Sequence, residues 1–162
     1  MWQRGNMDIS SLADHPHEVN KIAMWYYNEW AHSIPSVTEA MVYENVVEKS
    51  INRDEFPLAI IVHEANELIG VAELKFHENK NYPEYEHWLG GVFVEPSKRS
   101  NGVSSLLVSE AKKRATKLGV SKLYLQCESH NLSLYKKHDF VELHQAVHHD
   151  ISTIIMVWVA AT

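Results

Sequence analysis

One cysteine, Cys127, is the entire thiol content of the 162 residues, so no internal disulfide can form and a reducing, cytoplasmic setting is expected. Positive charge is scarce as well. The chain carries 15 Lys and Arg against 21 Asp and Glu, a net charge of −6, and this argues against nucleic acid as a partner, because such binding needs a cationic surface to neutralise phosphates. Long hydrophobic runs are missing. The longest apolar stretch, "IIMVWVAAT" from Ile154 to Thr162, is far too short to cross a bilayer, so no membrane partner is expected. The first residues hold no charged segment followed by an apolar one, so a secretory leader is not expected either. No repeat, low-complexity tract or linker interrupts the chain.

What is present is ordinary for a soluble globular protein: 45% hydrophobic and 22% charged residues, in a length that suits one domain over residues 1–162 with a sizeable core. After a short strand near Met7–Ile9, "HPHEVNKIAMWYYNEWAHSI" has apolar residues at helical spacing. Pro35 interrupts it, and "SVTEAMVYENVVEKSI" predicts a second helix with Ser36 as N-cap and Glu39 completing a capping box. "FPLAIIVHEA" is continuously apolar, as a strand buried on both faces would be, and "LIGVAELKFH" predicts its hairpin partner. A polar loop, "ENKNYPEYE", leads to the strand "HWLGGVFVEP", which Pro96 stops. A helix is predicted over 101–118, with Val103, Leu106, Leu107, Ala111, Ala115 and Leu118 as its apolar stripe and Gly119 just past its end. The strand "SKLYLQCE", a short helix in "NLSLYKKH" and the strands "FVELHQ" and "STIIMVWVA" complete an α/β, α+β layered domain.

The stretch from Val92 to Ala115 joins a strand to a helix through a basic turn and one glycine. The start of a helix leaves backbone N–H groups unpaired and adds partial positive charge, which together suit a phosphate. Gly102 lacks the Cβ that would hold a phosphate off the backbone, Ser104 is small, and Lys98 and Arg99 place cations beside the turn; Arg99 can bind bidentately.

Val94-x-Pro96-x-x-Arg99-x-x-Gly102-x-Ser104, followed by Leu106-Leu107, resembles the acyl-CoA signature of the GCN5-related N-acetyltransferases, with Ser104 where that family has Gly or Ala. "LYKKHDF" is similar to its L-Y-x-x-x-G-F motif through Tyr135 and Phe140, with Asp139 in place of Gly. Glu128 stands where many members have Asn, seven residues before the Tyr. The resemblance runs across nearly the whole chain. It implies a GNAT-like mixed, mostly antiparallel twisted sheet, splayed at its centre and flanked by about four helices, with the strands Trp88–Val94 and Lys122–Cys127 parting around acetyl-CoA as co-substrate. It further implies that backbone groups of Val92, Phe93 and Val94 bind the pantetheine arm, and that the diphosphate lies on the turn formed by Arg99, Ser100, Asn101, Gly102, Val103 and Ser104.

Acyl transfer to an amine requires the amine to be neutral, the oxyanion stabilised and the leaving thiolate protonated. Glu84, just before the third core strand, is the first candidate for the base, and Glu73 the second; each competes with the plainer reading of a solvated carboxylate. Tyr135 matches the family position that protonates the leaving thiolate, and competes with a packing role. The implied activity is N-acetyltransfer from acetyl-CoA to a primary amine of a small molecule or peptide, in a ternary complex. The alternative is a domain of the same fold that binds acyl-CoA without turnover. The acidic loop "HENKNYPEYEH" would attract a cationic acceptor.

Other features compete less well. "HQAVHHD" offers His144, His148, His149 and Asp150 as metal ligands, but it lacks Cys and a repeated ligand spacing, so a solvated hairpin loop is the expectation and no metal is assigned. Trp25, Tyr26, Tyr27 and Trp30 suit either a core face or a pocket wall. Cys127 is expected to be buried and inert. An edge strand near the C-terminus offers a surface on which a second copy could form a homodimer.

Overall fold

The computed structural model describes residues 7–161. Seven strands form one mixed sheet in the order β1-β2-β3-β4-β5-β7-β6. They are β1 (Met7–Ser11), β2 (Leu58–Glu64), β3 (Glu67–Phe76), β4 (His87–Val94), β5 (Lys122–Cys127), β6 (Val141–His148) and β7 (Ile151–Val159). The helices are α1 (Val19–Glu29), α2 (Glu39–Lys49), α3 (Val103–Lys117) and α4 (Leu132–Lys136).

Two apolar clusters cover the two faces of the sheet, because strand side chains alternate. Leu58, Ile60, Ile69, Ala72, Leu74 and Leu89 pack with Val103, Leu107, Val108 and Ala111 of α3 and with Tyr135 and Phe140 around α4. Ala59, Ile61, Leu68, Val71 and Phe93 pack with Val19, Ile22, Ala23 and Tyr26 of α1 and Val42 and Val46 of α2. Each large aliphatic side chain fully buried in this way contributes about 1.5–3 kcal/mol of transfer free energy.

The one feature of the sheet that makes a site is its middle. All neighbouring strands pair antiparallel except β4 and β5, which run parallel and register at a single position, Trp88 opposite Tyr124. Both residues lie near the starts of their strands, so beyond them β4 and β5 part. On its other edge β5 remains paired with β7 from Lys122 to Cys127. The structure therefore contains the expected central splay.

Several local expectations are corrected. Thr38, not Ser36, caps α2: its side chain accepts a hydrogen bond from the Met41 amide at 3.1 Å, with the extended backbone a cap requires. In α3 the buried stripe includes Val108, while Leu118 lies past the helix end and is 37% exposed. β6 runs on to His148, so "HQAV" is strand, and only His149 and Asp150, both at positive φ, make the turn into β7. Asp139 takes the left-handed conformation at φ +68°, as a short polar side chain in a glycine position can. Among the described residues no helix is long and apolar enough to cross a membrane.

Candidate active site

The turn from β4 to α3 is built by two residues at positive φ, Ser100 at +69° and Gly102 at +82°. Gly102 occupies the N-cap and supplies no side chain to the helix start, and the first closure of the helix runs from the Leu106 amide to the Gly102 carbonyl at 3.0 Å. The amides of Val103, Ser104 and Ser105 thus precede the first intrahelical bond and face outward as donors. Left-handed residues beside a helix start make a concave set of N–H groups that suits an anion. A cleft of about 280 Å³ opens here, lined by Val94, Lys98, Arg99, Ser100, Gly102, Val103, Ser104, Ser105 and Leu134.

The two basic side chains of the turn are engaged elsewhere. Lys98 pairs with Glu64 at 2.7 Å. Arg99 folds back: its Nε donates to the Val94 carbonyl at 2.9 Å, its guanidinium lies 5.3 Å from the Phe93 ring centre, and its terminal nitrogen is 3.8 Å from Glu29. Its amide is taken by the Pro96 carbonyl at 3.4 Å. The backbone of the turn, more than its cations, provides the anion character.

β4 leads from this turn into the splay. The Glu95 amide donates to the Ile69 carbonyl at 2.8 Å, and Phe93 registers with Val71. Backbone groups of alternate residues point to opposite sides of a strand. Those of Phe93 therefore face β3, while those of Val92 and Val94 face the gap toward β5, where the Val94 carbonyl meets Arg99. Phe93 presents its ring to the opposite cluster, 4.9 Å from Trp25 and 6.1 Å from Trp30.

Just before Val92 the register with β3 shifts, and Gly91 sits at φ +57° in the bulge. The Gly91 carbonyl accepts a hydrogen bond from Tyr26 Oη at 2.7 Å. A Cβ at Gly91 would lie 2.6 Å from that oxygen and 3.2 Å from the Glu73 carboxyl carbon. Glu73 is only 4% exposed and its Oε1 is 3.4 Å from Lys75 Nζ, which also meets Glu78 at 2.9 Å. Burial works against the Lys75 charge, yet Glu78 and Glu73 outweigh it and hold the ammonium above its ordinary range. Burial, reinforced by Glu73, raises the Tyr26 phenol.

Glu84 is exposed in the loop before β4. Next to it Tyr85 stacks on Tyr124 at 4.2 Å, and burial foremost, then Tyr85 and last the Glu84 charge, raises the phenol of Tyr124. Tyr85 Oη also shares a 2.9 Å hydrogen bond with His144 Nε2. His144 Nδ1 contacts the Gln145 carbonyl at 3.0 Å, and in the tautomer with the proton on Nδ1 the Nε2 atom accepts from the phenol. His144 is thereby part of an aromatic wall. Among the described residues no group of three or more His, Cys, Asp or Glu gathers as metal ligands would.

On the α3 and α4 face, Tyr135 is 8% exposed in α4, its ring 6.0 Å from Phe140. Burial, with a smaller contribution from Cys127, holds its phenol well above the ordinary value. Cys127 ends β5 and is buried; burial pushes its thiol up to about 11. The residues that a reading of the sequence missed are Tyr26, taken for core or wall, and Gly91, whose only signal was a doubled glycine inside an apolar strand.

Comparison with known proteins agrees with this geometry. Solved structures with the same fold include an N-acetyltransferase from Staphylococcus aureus, with 16% identity over 95% of this chain and 98% of that one and a TM-score of 0.73. An aminoglycoside 6'-N-acetyltransferase complexed with coenzyme A has 17% identity over 94% of this chain and 96% of its own, with a TM-score of 0.72. Arabidopsis thaliana NAA60 in complex with acetyl-CoA has 16% identity over 94% and 98%, with a TM-score of 0.70. No curated protein matches the sequence. The family model described as "Acetyltransferase (GNAT) family" matches residues 14–140, most of the length and all of β2 to α4, and the chain belongs to that family.

Proposed function

We propose that the chain is a single-domain N-acetyltransferase that moves an acetyl group from acetyl-CoA to a primary amine of a small molecule or peptide. The observation that carries this reading is the outward-facing amides of Val103 to Ser105, set beside strands that part beyond Trp88 and Tyr124. A diphosphate fits the left-handed turn at Ser100 and Gly102, held by the amides of Ser100 to Ser104, with the small Ser104 leaving it room. The Val92 and Val94 backbone groups, turned to the gap, suit an extended amide arm. Arg99 reaches the same anion if its guanidinium leaves Glu29.

When bound, acetyl-CoA supplies an acyl thioester, which a neutral amine converts to an amide with release of the thiol. The proton lost by the amine goes to a carboxylate, and Glu73 fits that role by its burial beside the Gly91 bulge, with Tyr26 and Lys75 fixing the surroundings. Glu84, exposed beyond the Tyr85–Tyr124 stack, fits a role in drawing in a cationic acceptor. Tyr135 keeps its proton at neutral pH because burial disfavours the phenolate, and this suits a donor to a departing thiolate.

The test is thiol release from acetyl-CoA against a panel of amines, comparing wild type with Tyr135→Phe. We expect amine-dependent release in the wild type and a loss of about a hundredfold or more in kcat in the variant, with acetyl-CoA affinity by calorimetry unchanged. Tight CoA binding without release for any amine would leave an acyl-CoA-binding domain.

A further inference from the structure

On the face of the sheet opposite the cofactor turn lies a buried donor without a partner. Gln126 is two residues beyond Tyr124, the last position at which β5 touches β4, and shares its side of the strand; the alternate residues Leu125 and Cys127 face α3 and α4. Its Nε2 is buried and has no hydrogen-bond partner. A buried amide nitrogen left unpaired is costly, so natural structures keep few of them.

Its orientation is dictated by a chain of bonds. The Asn81 backbone N–H donates to Asn79 Oδ1 at 3.1 Å, which fixes which end of the Asn79 amide is oxygen. Asn79 is 3% exposed, and its Nδ2 donates to Gln126 Oε1 at 3.1 Å. The Gln126 oxygen is therefore spent on Asn79 and its NH2 is the end left over. Asn79 adjoins Glu78, which joins Lys75 and Glu73, and Glu73 adjoins Gly91 and Tyr26. Chain adjacency of Glu78 and Asn79 thus sets the Lys75 ion pairs next to the Asn79–Gln126 bond.

We propose that Gln126 Nε2 donates a hydrogen bond to an oxygen of the acceptor molecule, and that Asn79 is the positioning residue that aims it. The acceptor is then an amine that also carries a carbonyl or hydroxyl oxygen close to its nitrogen, rather than a plain alkylamine or polyamine. The cofactor turn and Leu134 belong to the other face, so the donor addresses the acceptor and not the cofactor. This inference rests on the N-acetyltransferase reading for its substrate role.

The test uses glycinamide, ethanolamine and n-propylamine, which differ in the presence and kind of oxygen. In ¹⁵N-labelled protein with CoA added, the Gln126 side-chain amide, assigned from its loss in Gln126→Met, should shift saturably with glycinamide or ethanolamine and not with n-propylamine. In turnover, Gln126→Met should raise KM for the oxygen-bearing amines about tenfold with little change in kcat or in KM for acetyl-CoA. Asn79→Asp offers acceptors to both Asn81 and Gln126, so the Gln126 amide turns over and presents its oxygen. The preference for oxygen-bearing amines should then vanish, which a merely structural role for Asn79 would not produce. A shift without turnover would sink the transferase reading and leave the donor assigned. Turnover with no discrimination among the amines, or no shift with any of them, overturns the proposal.

Discussion

At the scale of single residues, burial decides chemistry that residue type leaves open. Cys127 ends a strand near the splay, where a reactive thiol would be conspicuous, yet burial raises it to about 11. At pH 8 such a thiol is ionised in about one molecule per thousand. Iodoacetamide should therefore alkylate the native protein about two orders of magnitude more slowly than the urea-unfolded chain, by mass spectrometry. Equal rates would mean that the end of β5 opens readily. Arg99 is the converse case. Its place in the motif was legible from its spacing to Gly102, but its tether to Val94 and Glu29 was not, because Glu29 comes from a helix distant in sequence.

At the scale of elements, the two glycines that shape the site act through positive φ. Gly102→Val puts a β-branched residue at φ +82°, where the backbone resists it and the side chain intrudes on the proposed phosphate position. Calorimetry should find acetyl-CoA affinity abolished while far-UV circular dichroism is retained; unchanged affinity would remove the phosphate assignment. Gly91→Ala adds strain at φ +57° and a collision with Tyr26 Oη. Urea denaturation should show a loss of about 2 kcal/mol or more, partly recovered when Tyr26→Phe removes the colliding oxygen. The sequence pattern located the seven strands and the four α-helices, but none of the five 3-10 helices, whose three residues are too few to show an apolar period. It erred at the ends of the elements it located. Ser36 is the better cap by type, yet the helix starts later and Thr38 caps it, accepting from the Met41 amide. The polar residues of β6 read as loop, but pairing with β7 extends the strand to His148.

At the scale of the molecule, four buried groups hold their protons more tightly folded than unfolded. Burial raises Cys127, Tyr135 and Tyr26, and Glu78 with Glu73 raises Lys75 against its own burial. A group with a raised folded value contributes stability that is fully present below its unfolded value and lost as pH climbs through the folded one. The unfolded values are about 8.5 for the thiol and about 10 for the phenols and ammonium. The urea midpoint should hold steady from pH 7 to 8, decline above about 9 and fall steeply above about 10. Cys127→Ala should remove the first part of the decline. A midpoint that rises over this range would contradict the raised values of all four. Glu84 and Glu73 are alike by residue type, and only the folded sheet buries Glu73 and leaves Glu84 exposed.

The sequence alone determined the order and kind of the elements, the glycine of the cofactor turn and the family resemblance, because apolar period, backbone freedom and motif spacing are properties of neighbouring residues. Tertiary structure decided which backbone groups face the gap, that Lys98 and Arg99 are tethered, that Glu73 pairs with Lys75 beside Gly91 and Tyr26, and that Asn79 bonds Gln126. Those relations depend on strands and helices far apart in the chain meeting at a bulge and a splay, and no local pattern encodes that meeting.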